Sequence, residues 1–269
     1  MAGMLPFPDR RTAGRLLAES LQDIAAERTV VLALPRGGVP VAHEIATLLD
    51  VPLDVIVTRK IGYPPQPELG VGAVAEGGFG PVFDADLLGR LGLTPDDLAA
   101  VVKAEEAELA RRVRVYRGGA PPPDVGGRHV IVVDDGLATG ATARAALRSL
   151  RAAGAGSLVL AVPVAPEAAA RAMRDEADRV VILATPADFG SVGEWYVSFG
   201  QLSDADVLAL YTPGGATPRN PRLVRGLRPP TPPGGYAALA RRIRRRRSAE
   251  RSSSLSPPQV PYFSGRETA

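Results

Sequence analysis

The sequence predicts an α/β fold in which a parallel sheet carries helices on both faces. Three observations carry this expectation. Short apolar, β-branched runs recur up to about residue 185, helical patterns lie between most of them, and one run ends in two adjacent acids followed by a small-residue turn into a helix. Strand, helix and strand in repetition describe a Rossmann-like sheet, because a parallel pair needs a crossover and the crossover is usually helical.

The predicted strands are TVVLAL (29–34), PLDVIVT (52–58), HVIVVD (129–134), SLVLAVPV (157–164) and RVVILAT (179–185). Each is short and almost wholly apolar, as a strand buried on both faces requires. Helices are predicted over 39–49, 140–153 and 166–175, the last with Pro166 at its first helical position, where a missing N–H costs nothing.

Two segments interrupt the alternation. RKIGYPPQPELGVGAVAEGGFGPV (59–82) has too many Pro and Gly for a long helix and reads as a mobile loop or a hairpin insertion. TPDDLAAVVKAEEAELARRVRVYR (94–117) reads as one long amphipathic helix, opened by Thr94 with Asp97 three residues on. After Tyr211 the composition shifts to Pro, Gly, Ser and Arg, and RRIRRRR (241–247) sits between low-complexity flanks. The expected organisation is a folded domain over 1–211 and a disordered basic tail over 212–269, with at most a short helix near 236–247.

Composition narrows the chemistry. With no cysteine and only His43 and His129, disulfides and thiolate metal sites are excluded and a histidine-rich zinc site is not expected. Acids, Arg, Lys, hydroxyls and backbone amides must do the work. No apolar run approaches the roughly 20 residues that span a bilayer, and MAGMLPFPDRR lacks the apolar core of a signal peptide, so a cytoplasmic protein with no membrane partner is expected. The net charge of +3 is segregated: residues 212–269 carry 12 Arg against Glu250 and Glu267, which leaves an acidic body.

In a parallel sheet, ligands sit beyond the carboxyl ends of the strands, where the next helix offers unpaired N–H groups to an anion. The loop 136–142 occupies that position. Gly136, Ala138, Gly140 and Ala141 are small enough for close backbone approach to a phosphate, and Thr139 and Thr142 add hydroxyls. GLATGAT has neither the lysine of a Walker loop nor the spacing of a dinucleotide loop. Asp134 and Asp135 precede it directly. Adjacent carboxylates repel a polyanion but can accept hydrogen bonds from a cis-diol, so a sugar phosphate satisfies both halves of the stretch. A strand ending in an Asx-type turn and a capped helix would use the same residues.

VIVVDDGLATGAT (130–142) resembles the ribose 5-phosphate binding motif of type I phosphoribosyltransferases. The resemblance implies that the substrate is phosphoribosyl pyrophosphate (PRPP), that Asp134 and Asp135 hold the ribose diol, and that a nitrogen acceptor, such as a nucleobase, displaces pyrophosphate at the anomeric carbon. It implies Mg²⁺ bound mainly through PRPP, with no protein metal site assigned, and it allows a homodimer. ALPRGGVPVAHEI (33–45) is similar to the pyrophosphate loop of that family, with Arg36 pairing phosphate oxygens and Gly37 and Gly38 forming the turn, although strand to Gly-Gly to helix turns are common. TRKIG (58–62) places Arg59 and Lys60, one of only two lysines, where the family has a mobile basic loop; a solvated basic turn would look the same. Glu68 and Glu76 in the same insertion receive no role.

ADFGSVGEWYVSF (187–199) gathers Phe189, the only tryptophan, Tyr196 and Phe199, either as the hood that receives the acceptor or as core. In the 6-oxopurine members an acid stands in the phosphate loop where this chain has Ala138, so close kinship with those enzymes is not implied. PELGVGAVAEGG (67–78) looks like a group of predicted phosphoribosyltransferases of unassigned acceptor. The competing reading is a regulator of the same fold that senses PRPP or binds RNA, the nucleic acid being attracted by the arginine-rich tail.

Overall fold

The structure is a computed structural model that describes residues 5–24, 27–78 and 80–212. Its main sheet is parallel and has the order β2-β1-β6-β7-β8. These strands are β1 (Thr29–Ala33), β2 (Leu53–Val55), β6 (His129–Val133), β7 (Ser157–Val164) and β8 (Arg179–Ala184). The register runs Ala33 beside Val133 beside Ala161, so the carboxyl ends of β1 and β6 are level while β7 runs on to Val164. Both faces are covered: β1 is buried throughout, and β6 and β7 are buried after their first residue.

Alternation along the strands sends side chains into two apolar layers. Val31, Ala33, Ile131 and Val133 face a layer shared with Leu17, Val41 and Ile45 from α1 (Arg10–Glu19) and α2 (Gly38–Leu49). Val30, Leu32, Val130 and Val132 face Ala146, Leu147, Leu150 and Met173 from α5 (Ala141–Ala152) and α6 (Glu167–Met173). Each fully buried Leu, Ile or Val contributes roughly 1.5–3 kcal/mol of hydrophobic free energy, which is what fixes helices to both faces.

The insertion at 59–82 takes the hairpin alternative. β3 (Thr58–Tyr63) and β4 (Gln66–Ala75) pair antiparallel, and β5 (Val82–Phe83) joins them in a second, three-stranded sheet. Small residues permit the packing: Ala73 and Ala75 meet Ala145 of α5, so this sheet lies directly on the helix that begins at the expected phosphate loop.

Other departures are local. Pro166 lies just before α6 with extended backbone, outside the helix rather than at its first position. The 94–117 segment opens with a short 3-10 turn at Asp96–Leu98 before α4 (Ala99–Arg117), and the Thr94 amide and hydroxyl donate to Asp97 at 2.8 and 2.7 Å. α1, α3 (Ala85–Leu91) and α7 (Asp204–Leu210) were not expected; Asp9, Asp84 and Ser203 cap them with side-chain hydrogen bonds. Apart from Thr212, the predicted basic tail lies outside the described residues.

One buried polar network joins the two sheets. Arg117, at 2% exposure, ends α4 and donates to Glu76 Oε1 at 2.7 Å, to Asp54 Oδ1 at 3.1 Å and to the Val55 carbonyl at 2.7 Å. The Tyr211 hydroxyl donates to Asp54 at 2.8 Å, and the Val57 amide to Glu76 Oε1 at 3.0 Å. Glu76, which the sequence left without a role, is thus the acid that fixes the end of β4 to the end of β2.

Candidate active site

β1 and β6 are neighbours, so the loops that follow them emerge side by side at the carboxyl edge of the sheet. The β1 loop holds Arg36, Gly37 and Gly38, and the β6 loop holds Asp134 to Gly140. Their backbones approach too closely for side chains between them. A β-carbon on Gly38 would lie 2.5 Å from the Val133 carbonyl oxygen, and one on Gly37 would lie 2.8 Å from Asp135 Oδ1 and closer still to Oδ2. Two segments separated by about a hundred residues therefore form one concave edge, with Asp135 between them.

Asp134 and Asp135 are both half-buried there. The Asp135 amide donates to Asp134 Oδ1 at 2.8 Å, which turns the first carboxylate back over its own backbone. Burial, and then the charge of Asp135, push the Asp134 carboxyl well above the usual carboxylate range. Burial also raises Asp135, but the Arg10 guanidinium opposes the shift, its Nε donating to Asp135 Oδ2 at 2.7 Å. The first acid is thus the one that holds a proton more readily.

The loop that follows has the features of an anion cradle. Ala138 and Thr139 are exposed, Ala141 and Thr142 are half-buried, and α5 begins without a side-chain cap. Gly140 caps it with φ +79°, a left-handed backbone that would strain most other residues. First-turn amides of a helix have no partner within the helix; here the Ala141 amide donates to the Thr139 hydroxyl at 3.4 Å. Leu137 anchors the loop from below, its amide donating to the Val164 carbonyl at 2.9 Å and its side chain buried in the α5–α6 layer.

Of the basic residues expected near the site, Arg36 is exposed on the β1 loop beside Asp135's contact Gly37. Lys60 is exposed on β3, its stem lying against Gly70 of β4. Arg59 is directed elsewhere: its guanidinium pairs with Glu105 of α4 at 2.7 Å. Neighbouring residues of a strand point to opposite faces, so Arg59 and Lys60 leave β3 on opposite sides.

The aromatic segment is partly core and partly rim. Phe7 and Tyr196 form a bridge between the amino-terminal segment and residues 192–200, and both are buried with Val164 beneath them. The Tyr196 hydroxyl donates to the Asp135 carbonyl at 2.5 Å, and burial together with the Asp135 charge raises its phenol above the ordinary value. Phe189 and Trp195 stack at 6.4 Å between centroids, and Phe199 remains 36% exposed at the rim. Sequence reasoning missed Arg10. Its guanidinium carbon lies 3.8 Å above the Phe199 ring while Nη1 donates to the Gly200 carbonyl at 3.0 Å. No motif marks it, because its partners are 125 and about 190 residues away.

Among the described residues no group of three His, Asp or Glu side chains could hold a metal ion, and no helix is long and apolar enough to cross a membrane. A cavity of about 580 Å³ lies apart from this edge, between α4 and the turn after β4, lined by Leu109, Val113 and Arg114 among others. Its lining is mostly apolar and includes none of the acidic-pair or phosphate-loop residues, so the chemistry of the loops, rather than cavity size, identifies the candidate site.

Comparison with known proteins shows the family. The family description "Phosphoribosyl transferase domain" matches residues 10–196, from the Arg10 that pairs with Asp135 to the Tyr196 that holds its carbonyl. The curated protein named "Putative phosphoribosyl transferase Rv0571c" of Mycobacterium tuberculosis H37Rv is 47% identical over 203 residues, 76% of this chain and 46% of that protein. Its counterpart from strain CDC 1551 gives the same figures. The chain thus spans about half the length of these relatives. The crystal structure of TT1426 from Thermus thermophilus is 42% identical, covers 76% of this chain and 96% of its own, and superposes with a TM-score of 0.65. A domain match over most of the folded body and this level of identity place the chain in the phosphoribosyl transferase domain family.

Proposed function

We propose that the chain is a phosphoribosyltransferase that moves the ribose 5-phosphate of PRPP to a nitrogen acceptor and releases pyrophosphate. The observation that carries this reading is the meeting of the two loops. An acid pair suited to a diol lies between a capless helix start on one side and an Arg-Gly-Gly turn on the other. One ligand with a phosphate, a diol and a pyrophosphate at successive positions along a pentose matches that order.

In the proposed reaction the acceptor nitrogen forms a bond to the anomeric carbon as the bond from that carbon to the pyrophosphate oxygen breaks. The electron pair leaves with pyrophosphate, and the acceptor nitrogen gives up its proton. The ring passes through a state of cationic character, which the negative charge shared by the acid pair favours. Loop 136–142 holds the 5-phosphate by its amides and the Thr139 and Thr142 hydroxyls, while Arg36 and Lys60 neutralise the leaving group. Mg²⁺ is proposed to accompany PRPP as part of the substrate, where it would lessen the charge of pyrophosphate. Arg59, paired with Glu105, has no part in this scheme.

Calorimetric titration of the full chain with PRPP and Mg²⁺, followed by a screen of nucleobases and other amines for pyrophosphate release, tests the proposal. Binding that is lost in Asp135→Asn while the melting temperature is kept supports it. Unchanged affinity in that variant counts against it. A sensor of PRPP without transfer would bind and release nothing with every acceptor.

A further inference from the structure

Arg10 contributes to the site only through Asp135. Its Nε donates to Oδ2 of that side chain, and Gly37 crowds the same oxygen from the opposite loop. Oδ2 is thus held between Arg10 and the Gly37 backbone, which fixes the rotation of the carboxylate and with it the direction in which Oδ1 is presented. Arg10 is itself fixed at two further points, the Phe199 ring and the Gly200 carbonyl, and its side chain is only 12% exposed. Aromatic stacking and a directed bond to a carbonyl pre-organise the planar guanidinium, which lysine, a point charge on a flexible stem, could reproduce only in part. The backbone of Asp135 is held from the same segment by Tyr196.

We infer that Arg10 is a positioning residue: it holds Asp135 in the one orientation in which its carboxylate can receive the ribose diol, and it ties that orientation to the 192–200 hood through Phe199. The inference rests on the reading of the acidic pair as a diol site. It goes beyond that reading by placing the control of diol recognition in the amino-terminal helix, far in sequence from the motif. Burial of Asp135 beside Asp134 adds a reason for the cation, since the guanidinium opposes the rise that burial imposes on the Asp135 carboxyl.

The test compares ribose 5-phosphate with 2-deoxyribose 5-phosphate, which lacks one hydroxyl of the diol, by calorimetry on the full chain. The wild type is expected to favour the ribose compound by about tenfold or more. Arg10→Met should bring the ratio near one while weakening the deoxy compound little, and Arg10→Lys should restore part of the preference. Adding Arg10→Met to Asp135→Asn should cause no further loss, because the two changes remove one interaction. A lesion of folding alone would weaken both ligands together and would add to Asp135→Asn. If Arg10→Met does not fold, Phe199→Leu, which removes only the support of the guanidinium, carries the same comparison. A wild type that binds the two sugars equally overturns the diol reading itself. A wild type that discriminates, with an Arg10→Met or Phe199→Leu variant that discriminates as well, overturns the role of Arg10 alone.

Discussion

Gly37 and Asp135 touch: the α-carbon of the first lies so close to the carboxylate of the second that no side chain can stand between them. Gly37 has φ −61°, an ordinary backbone that any residue can adopt, so the need for glycine is one of space rather than of conformation. Gly37→Ala should fold, with a melting temperature within a few degrees of wild type, yet push Asp135 off Arg10. Calorimetry should show ribose 5-phosphate binding weakened by about tenfold or more. Retained affinity would mean that the contact is incidental.

The glycine after the phosphate loop is required for the other reason. Gly140 sits at φ +79°, and a β-carbon there would also meet Met173 Cε at 3.1 Å. Gly140→Ala is expected to cost about 1–2 kcal/mol in urea denaturation. It should also weaken inorganic phosphate and ribose 5-phosphate in parallel, since both use the same amides.

Asp134 gives a prediction in pH. Its folded value is raised by burial and by Asp135, so its contribution to stability is complete below the unfolded value of about 4 and is lost as pH rises through the folded one. Asp134→Asn removes that loss. Thermal melts across the range from about pH 4 to pH 8 should be flatter for the variant, which should be the more stable form at the alkaline end and impaired in PRPP binding. A variant that is less stable than wild type at every pH would contradict the assignment.

Arg117 should matter most to stability. Arg117→Met leaves Glu76 and Asp54 buried without their cation, and the expected loss is about 3–5 kcal/mol by chemical denaturation. Because the network fixes β4 to the end of β2, a loss below about 1 kcal/mol would show that the two sheets are held by apolar packing instead.

Lys60 and Arg59 should separate. Lys60→Ala is expected to lower turnover by about a hundredfold while PRPP affinity changes little, as befits a group that meets charge only as it develops. Arg59→Ala, which removes a pair with Glu105, should leave turnover near that of wild type. Equal effects in steady-state assays would return both residues to one ligand.

Much of the site was legible because its parts are local. The stretch 130–142 contains a strand, an acid pair and a helix start in one run, and the covalent chain alone keeps them adjacent. The arginine and glycines at 36–38 were legible for the same reason. The pairing of Arg59 with Glu105 was not, since a basic dipeptide in a strand shows neither which face each residue takes nor what stands opposite. Arg10 carried no signal at all: it opens a helix that the alternating strand pattern does not announce, and its partners are chosen by the fold.

The period of apolar residues determined the sheet, the helices on its faces and the edge at which a ligand would sit, because burial on two faces and the direction of a crossover follow from the sequence alone. Tertiary structure decided how the Asp135 carboxylate is held, how the acid pair shares its charge, and that an insertion rich in Pro and Gly would become a second sheet on α5. Those outcomes depend on contacts between segments far apart in the chain, whose energies no local pattern encodes.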